Sequence, residues 1–145
     1  MITISPMQEQ DLANLSHHLL QDFDDFWSIS VLKQELENPQ STYFIAKCDD
    51  EIVGFAGIWR SVDDVHIMDI VVKKTKRRQK VGSLLLETLV KQAEKENFTA
   101  ITLEVNEKNL AAISLYEKYH FVRMGLRKKY YNNKENAIIM TRSLK

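Results

Sequence analysis

The chain has 145 residues and 44% of them are hydrophobic, while 20 Lys and Arg balance 20 Asp and Glu, so its formal net charge at pH 7 is zero. This length suffices for one domain with a substantial core and excludes two ordinary domains. A net charge of zero argues against a general nucleic-acid coat protein, which is normally basic throughout. The single cysteine, Cys48, excludes an internal disulfide and a cysteine-based metal site, and so favours a reducing compartment.

Overall neutrality hides an uneven distribution of charge. Residues 1–72 carry 3 basic and 13 acidic side chains, a net charge of −10, whereas residues 73–145 carry 17 basic and 7 acidic ones, a net charge of +10. A local anion-binding site in the second half is therefore compatible with the composition. The first residues lack the charged and apolar regions of a signal peptide, and no apolar run approaches the ~18 residues of a membrane span. We expect one cytoplasmic domain over residues 1–145, without a membrane partner.

The first half of the chain predicts a strand, two helices and a three-stranded meander. Leu12, Leu15, Leu19 and Leu20 recur at helical spacing, and β-rich runs are separated by polar turns. The predicted elements are a strand over residues 2–5, a helix over 7–20, an acidic connecting loop over 21–27, a helix from Ser28 or Ser30 to Asn38, and strands over 42–48, 52–60 and 65–72.

The second half predicts an alternation of helices and strands. Leu84, Leu85, Leu89 and Ala93 line one face of the clearest helix, which begins at Val81. The predicted elements are helices over residues 81–97 and 109–119 and strands over 100–105, 121–131 and 137–143, the last two separated by a turn over 132–134. The order β-α-α-β-β-β-α-β-α-β-β predicts a mixed α/β domain, an α+β arrangement around a mixed sheet.

The loop before this helix is the most informative local feature of the sequence. Six of the eight residues 73–80 are cationic, and Gly82-Ser83 keep side-chain bulk low at the start of the helix. A helix N-terminus carries unpaired N–H groups and roughly half a positive charge, so it binds phosphates readily. The loop is neither a Walker A loop nor a dinucleotide-binding fingerprint. From the residues alone, a solvated basic loop or a nonspecific contact with nucleic acid is the alternative.

Residues 77–83, with the sequence RRQKVGS, resemble the Q/R-x-x-G-x-G/A signature of the GNAT acyltransferase superfamily, except that Lys80 stands in place of the middle glycine. Residues 103–117, LEVNEKNLAAISLYE, are similar to the LEV-x(3)-N-x-x-A-x-x-L-Y pattern of the RimI-type Nα-acetyltransferases, and residues 26–28 and 125–140 resemble the same group. The similarity spans the chain and implies the GNAT fold. His120 replaces a helix-ending glycine of the family, and His tolerates a positive φ better than most residues.

The resemblance implies acetyl-CoA as cosubstrate. Backbone groups of Ile70, Val71 and Val72 would then contact the acetyl carbonyl and the pantetheine arm, and Asn109 would hydrogen-bond the pantetheine. The pyrophosphate would be cradled by Arg77, Arg78, Gln79, Lys80, Val81, Gly82 and Ser83. The four histidines show no ligand spacing with acidic residues, so no metal site is predicted.

The resemblance also implies that Glu104 is the proton acceptor and Tyr116 the proton donor of a direct acetyl transfer. An α-amino group has a pKa near ~8, so one modest base suffices to make it neutral. Glu104 stands in an otherwise apolar strand, and burial would raise the pKa of its carboxyl and make it a better base. A tyrosine with a pKa near ~10 can protonate a departing thiolate, whose thiol has a pKa of roughly 8.5.

In the RimI-type enzymes the acceptor enters between the first two helices and the last two strands, which implies Trp27, Tyr130 and Tyr131 as acceptor contacts here. Asp69, on the third strand of the meander, is another candidate for a carboxylate that attracts the amine. Acidic residues in these regions would attract a cationic amine. The leading hypothesis is acetylation of the N-terminal alanine of a ribosomal protein, by resemblance the eighteenth protein of the small subunit, without direct contact to nucleic acid. A small-molecule amine, such as a polyamine or an aminoglycoside, is the second hypothesis. A nonenzymatic module that binds RNA through residues 73–80 is the third.

Overall fold

The computed structural model describes residues 1–16, 29–76, 80–131 and 135–145. The strands are β1 (Ile2–Pro6), β2 (Ser41–Cys48), β3 (Glu51–Arg60), β4 (Asp64–Val72), β5 (Ala100–Asn106), β6 (Val122–Tyr131) and β7 (Glu135–Ser143). The helices are α1 (Glu9–Ser16), α2 (Ile29–Glu37), α3 (Val81–Lys95) and α4 (Leu110–Lys118). This order confirms the predicted succession of elements. The predicted loop over residues 21–27 and the predicted turn over 132–134 lie outside the described residues.

Local interactions explain where the helices begin and end. α1 begins at Glu9, two residues later than predicted, because the carboxylate of Asp11 accepts a hydrogen bond from the Gln8 N–H at 2.8 Å and caps the first turn. The predicted continuation over residues 17–20 lies outside the described residues. α3 ends at Lys95, where the chain turns away as Asn97 adopts a left-handed conformation with a φ of 64°.

The strands form one seven-stranded mixed sheet in the order β1-β2-β3-β4-β5-β7-β6. α3 packs on one face, where Leu85 and Leu89 belong to the larger core cluster. α1 and α2 pack on the other face, where Leu15 and Leu32 belong to a second cluster. β2 and β3 are buried along most of their length because helices cover both faces. None of the described helices combines the length and the apolar character needed to cross a membrane.

The sheet opens between β4 and β5. These two strands run parallel and pair over only three residues each, Asp64 to His66 with Ala100 to Thr102. β4 also contains a bulge, because Gly57 pairs with Asp69 and Ile58 pairs with Ile67, so that Met68 has no opposite residue on β3. A bulge bends its strand and increases the local twist. The carboxyl ends of two neighbouring parallel strands therefore diverge and leave a gap.

Two residues that stand where the resemblance places glycines adopt left-handed backbone conformations. Lys80, at the N-cap of α3, has a φ of 69°, and His120, which follows α4, has a φ of 71°. The expectation that His120 accommodates a positive φ is confirmed. For a residue that carries a Cβ this conformation costs roughly 1–2 kcal/mol. The surrounding structure must therefore impose it, as at His120, whose N–H donates to the Glu117 carbonyl at 3.0 Å.

Candidate active site

A cavity of about 710 Å³ lies on the α2 side of the sheet, where β4 and β5 diverge. One helix and four strands contribute to it. Its lining residues are Glu35, Trp59, His66, Ile67, Met68, Asp69, Thr102, Leu103, Glu104 and Ile139. Three of these described lining residues are acidic and none is a lysine or an arginine, so the cavity favours a cationic ligand.

Glu104 lies on the side of β5 that faces away from the core. Leu103 and Val105 are buried, and the two-residue period of a strand places Glu104 on the opposite side. The Glu104 side chain is 31% exposed, and its Oε2 accepts a hydrogen bond from Nη1 of Arg127 on β6 at 3.2 Å. Glu104 therefore lacks the burial that would make its carboxyl a better base. The apolar residues around it in sequence occupy the other side of the strand.

Asp69 lines the same cavity from β4, beside the bulge at Met68. The residue is partly buried, and the loss of solvent around its carboxyl raises the pKa of Asp69 to about 7. The fold thus brings together Asp69, predicted as an acceptor contact, and Glu104, predicted as the proton acceptor. They stand on the two strands that diverge.

Tyr43 reaches from β2 across β3 toward Asp69. Tyr43 pairs with Gly57, and Gly57 pairs with Asp69, so the three residues form one row across the sheet. A Cβ built on Gly57 would lie 2.3 Å from the Tyr43 ring, which means that the ring occupies the space of the missing side chain. Tyr43 is buried, and this burial together with the charges of Glu35 and Asp69 raises the pKa of its phenol. The phenol therefore stays protonated next to the acidic cavity.

Tyr116 lies outside this cavity, on the α3 side of the sheet. It belongs to α4, is partly buried, and packs against the larger core cluster. The centroid of its ring is 5.9 Å from that of Phe121, a member of this cluster. Among the described residues, this cavity therefore contains Glu104 but not Tyr116, which packs with the core on the other face of the sheet.

The start of α3 provides a helix N-terminus without acidic side chains. The N-cap residue Lys80 makes no side-chain capping bond, and the first turn of α3 contains no acidic residue. A Cβ on Gly82 would lie 3.7 Å from Leu115 and 3.8 Å from Val72, which are ordinary contacts, so protein packing does not require a glycine here. The missing side chain instead leaves room for an anion to approach the N–H groups of the first turn.

The end of β4 provides a strand edge that faces the gap. Residues 70–72 pair with Ala56, Phe55 and Gly54 of β3, whereas the pairing with β5 ends at His66. Within the described part of the chain, the other edge of residues 70–72 therefore has no strand partner. Such an edge can receive the amides of an extended ligand by strand-like hydrogen bonds.

Asn109, predicted only as a pantetheine contact, is also the N-cap of α4. Its Oδ1 accepts a hydrogen bond from the Ala112 N–H at 3.2 Å. Capping occupies the side-chain oxygen, while the amide nitrogen is a separate donor. The other predicted site residues cannot be placed in the same way, because Trp27, Arg77, Arg78 and Gln79, and the side chains of Tyr130 and Tyr131, lie outside the described residues.

Glu35, Tyr43 and Trp59 are among the residues of this region that were not predicted from the sequence. Glu35 on α2 accepts a hydrogen bond from Ser41 Oγ at 2.8 Å, and the Trp59 ring lies 5.7 Å from the His66 ring between centroids. Only for Tyr43 does the sequence contain a usable signal, which is Gly57. A glycine inside a strand often marks the close approach of a neighbouring side chain. In the described part of the chain, no group of three His, Cys, Asp or Glu side chains is placed to hold a metal ion.

Comparison with known proteins gives a consistent result. A family model described as the acetyltransferase (GNAT) family matches residues 12–121. The chain is 31% identical over 144 residues to the ribosomal protein bS18-alanine N-acetyltransferase of Escherichia coli strain K12, a match that covers 97% of this chain and 96% of that protein. The crystal structure of the ribosomal-protein-S18-alanine N-acetyltransferase from Escherichia coli matches with a TM-score of 0.89 at 30% identity, covering 99% and 94% of the two chains. Arabidopsis thaliana NAA60 in complex with acetyl-CoA shares the fold, with a TM-score of 0.83 at 17% identity over 99% and 98% of the chains.

Proposed function

Because the chain belongs to the GNAT family of acetyltransferases, we propose that it transfers the acetyl group of acetyl-CoA to the N-terminal α-amine of a protein. The family and the similarity to its relatives identify the chain as an acetyl-CoA-dependent N-acetyltransferase. The proposed acceptor is the N-terminal alanine of the small-subunit ribosomal protein bS18. The observation that carries the proposal is the acidic cavity at the gap between β4 and β5. It offers a cationic amine a place next to a strand edge that suits the acetyl donor.

The end of β4 and the start of α3 suit the two polar parts of acetyl-CoA. The open edge of Ile70, Val71 and Val72 offers backbone groups to the acetyl carbonyl and the amides of pantetheine, and Asn109 offers its amide N–H. The first turn of α3 offers N–H groups and a positive helix end to the pyrophosphate. The proposed cradle consists of Arg77, Arg78, Gln79, Lys80, Val81, Gly82 and Ser83.

The acidic cavity suits an acceptor that enters as an α-ammonium group. Glu104 is the proposed proton acceptor, since it lines the cavity on the strand opposite the proposed acetyl site. An α-ammonium has a pKa near ~8, compared with ~10.4 for a lysine side chain. At neutral pH a modest base therefore produces far more of the neutral α-amine than of the neutral lysine. This difference favours a protein N-terminus over an internal lysine. Trp27, Asp69, Tyr130 and Tyr131 are the proposed contacts around it.

The position of Tyr116 suits protonation of the leaving thiolate. Tyr116 lies on the α3 side of the gap, whereas Glu104 lines the cavity on the α2 side. In the proposed reaction the amine attacks the acetyl carbon from the α2 side, and the sulfur of CoA leaves toward α4. Proton removal from nitrogen and proton delivery to sulfur then occur at separate places, so one group does not have to do both.

A small polycationic amine is the second candidate acceptor. The observation that favours it is the presence of Glu35, Asp69 and Glu104 in one cavity, because several carboxylates attract several positive charges. A series of polyamines and aminoglycosides, with released CoA thiol as the readout, distinguishes the two acceptors. A fast reaction with these amines and none with peptides would support the second candidate.

The test of the leading proposal is a panel of peptides incubated with the protein and acetyl-CoA, followed by mass spectrometric location of the acetyl group. The panel compares peptides that begin with Ala, Ser, Gly or Met, each with one internal lysine. We expect acetylation of the α-amine, fastest for the peptide that begins with Ala. A peptide with a blocked N-terminus is the control. Acetyl groups on the internal lysine, with the α-amine untouched, would contradict the proposal.

A further inference from the structure

The cavity contains two carboxyl groups in contrasting surroundings close to the proposed acetyl site. Glu104 is partly exposed and accepts a hydrogen bond from Arg127. Asp69 stands on the opposite strand, beside the bulge at Met68, and lies in one row with Gly57 and Tyr43. The bulge changes the register of β4 next to Asp69, and the ring of Tyr43 occupies the space over Gly57 in the same row. In the proposed function Asp69 only attracts the positive charge of the acceptor.

The number of protons that leave the acceptor nitrogen is large enough to involve a second carboxyl group. An α-ammonium carries three protons and the amide nitrogen of the product carries one, so two protons leave the nitrogen. One of them ends on the thiol of CoA and the other is released to solvent. The first must leave before the attack, because an ammonium nitrogen has no free electron pair. The second leaves while the new C–N bond forms.

We propose that Asp69 is a second catalytic residue, which takes the first proton from the entering α-ammonium, while Glu104 takes the second proton during the attack. This inference rests on the proposed function. An N–H bond breaks and an O–H bond forms on Asp69. The nitrogen electron pair then attacks the acetyl carbon, the C–S bond breaks, and Tyr116 protonates the sulfur. Glu104 holds the second proton and returns it through water to Tyr116, and Asp69 releases the first proton to solvent.

The groups around Asp69 support this role. Glu35 from α2, Tyr43 from β2 and Glu104 from β5 face it, and His66 lines the same cavity from its own strand. On β3 the residue directly opposite is Gly57, which has no side chain to pair with the carboxylate. The pKa of Asp69, raised to about 7 by burial, lies close to the ~8 of an α-ammonium. A proton can therefore pass between the two groups with little change in free energy.

The pH dependence of kcat/KM tests this inference with the best peptide of the panel. In the unaltered protein we expect kcat/KM to fall below a midpoint near pH 7, as Asp69 becomes protonated. In Asp69→Asn only peptide whose α-amine is already neutral can react. The midpoint therefore moves to pH 8 or above, and kcat/KM at pH 7 falls at least tenfold. In Glu104→Gln the plateau falls but the midpoint stays near pH 7. Asp50→Asn, in the exposed turn after β2, is the matched control.

A direct titration separates failure of this inference from failure of the proposed function. Carboxyl NMR on the unaltered protein and on Asp69→Asn, without any acceptor, should show one carboxyl with a midpoint near pH 7 that the variant lacks. Acetyl-CoA binding by calorimetry should be equal in both. An unchanged midpoint of kcat/KM in Asp69→Asn, or a rise in KM alone, would overturn the inference even if peptides are acetylated. No turnover of any peptide by the unaltered protein would instead contradict the proposed function.

Discussion

Tyr43 and Asp69, two strands apart, interact electrostatically across Gly57. The Tyr43 ring can lie over β3 because Gly57 has no side chain. Tyr43 and Asp69, which are far apart in sequence, thereby lie in one row of the sheet at the edge of the cavity. This relationship makes a glycine in the middle of a strand part of the candidate active site.

Gly57→Ala is therefore expected to destabilise the protein and to reduce activity together. The new Cβ would lie 2.3 Å from the Tyr43 ring, and overpacking of this kind costs about 1–3 kcal/mol. The free energy of unfolding, measured by urea denaturation, and kcat/KM are the readouts. Gly125→Ala is the control, because its Cβ would meet Ile139 at 3.5 Å, an ordinary contact. Equal stability losses in the two variants would contradict the close approach of Tyr43.

The positions of Glu104 and Tyr116 predict variants that bind acetyl-CoA but turn it over slowly. In Glu104→Gln and Tyr116→Phe we expect kcat to fall by about 10²-fold or more, since each loses one proton transfer. The dissociation constant of acetyl-CoA, measured by calorimetry, should change less than threefold.

Tyr119→Phe, at the C-cap of the same helix, is the matched control. Its hydroxyl donates to Glu87 at 2.7 Å, so the variant should lose about 1 kcal/mol of stability and keep its kcat. Loss of acetyl-CoA binding in Glu104→Gln or Tyr116→Phe would mean that these residues hold the cosubstrate instead.

The two functions assigned to Asn109 can be separated by two substitutions. Asn109→Ala removes the cap of α4 and should cost about 1 kcal/mol of unfolding free energy. Asn109→Asp keeps an oxygen for the Ala112 N–H but has no amide donor, so stability should be retained while KM for acetyl-CoA rises several-fold. Thermal unfolding and initial rates at varied acetyl-CoA concentration measure these effects. If Asn109→Asp behaves like the unaltered protein in both, Asn109 is a helix cap alone.

The Arg60–Glu96 pair predicts a stability contribution that depends on pH. Arg60 at the end of β3 bonds to both carboxylate oxygens of Glu96, at 2.6 and 2.7 Å, and links the sheet to the end of α3. Hydrogen bonding from Arg60 lowers the pKa of Glu96. The stabilisation is therefore present above the pKa of the unfolded state, near ~4.3, and is lost as the pH falls through the lower pKa of the folded state.

Glu96→Gln should accordingly cost about 1 kcal/mol at pH 7 and progressively less in strong acid. The exposed Glu94→Gln on the same helix is the control and should change stability by under ~0.5 kcal/mol at either pH. Urea denaturation at pH 7 and at the lowest pH where the protein stays folded measures the difference. A cost that is the same at both pH values would mean that the pair does not contribute through charge.

The order of elements could be predicted because each one carries its own local pattern. The leucines of α3 repeat at helical spacing, and the polar residues 49–51 separate two β-rich runs. The gap between β4 and β5 could not be predicted, because it depends on how far two distant strands pair. The bulge at Met68 has the same origin, since the sequence of β4 reads as one uninterrupted strand.

The candidate site shows the same division between local and long-range information. Glu104 was placed correctly on its strand, but its exposure does not follow from its apolar neighbours in sequence, because they belong to the other side. Asp69 was predicted only as an electrostatic contact because its burial depends on the sheet row of Tyr43 and Gly57 and on the covering helix α2. Resemblance to a family identifies which residues matter, whereas the environment of each carboxyl depends on the complete fold.

Lys80 provides a last test, because its backbone and its charge can be altered separately. Its φ of 69° is unfavourable for any residue with a Cβ, and glycine adopts it without strain. Lys80→Gly and Lys80→Ala both remove the ammonium group, so the difference between them reports the backbone alone. We expect Lys80→Gly to be more stable than Lys80→Ala by about 1 kcal/mol in urea denaturation. If the Lys80 charge contacts the phosphates, both variants should bind acetyl-CoA more weakly and with less dependence on salt. Equal stability of the two variants would mean that the loop relaxes to another conformation when Lys80 is replaced.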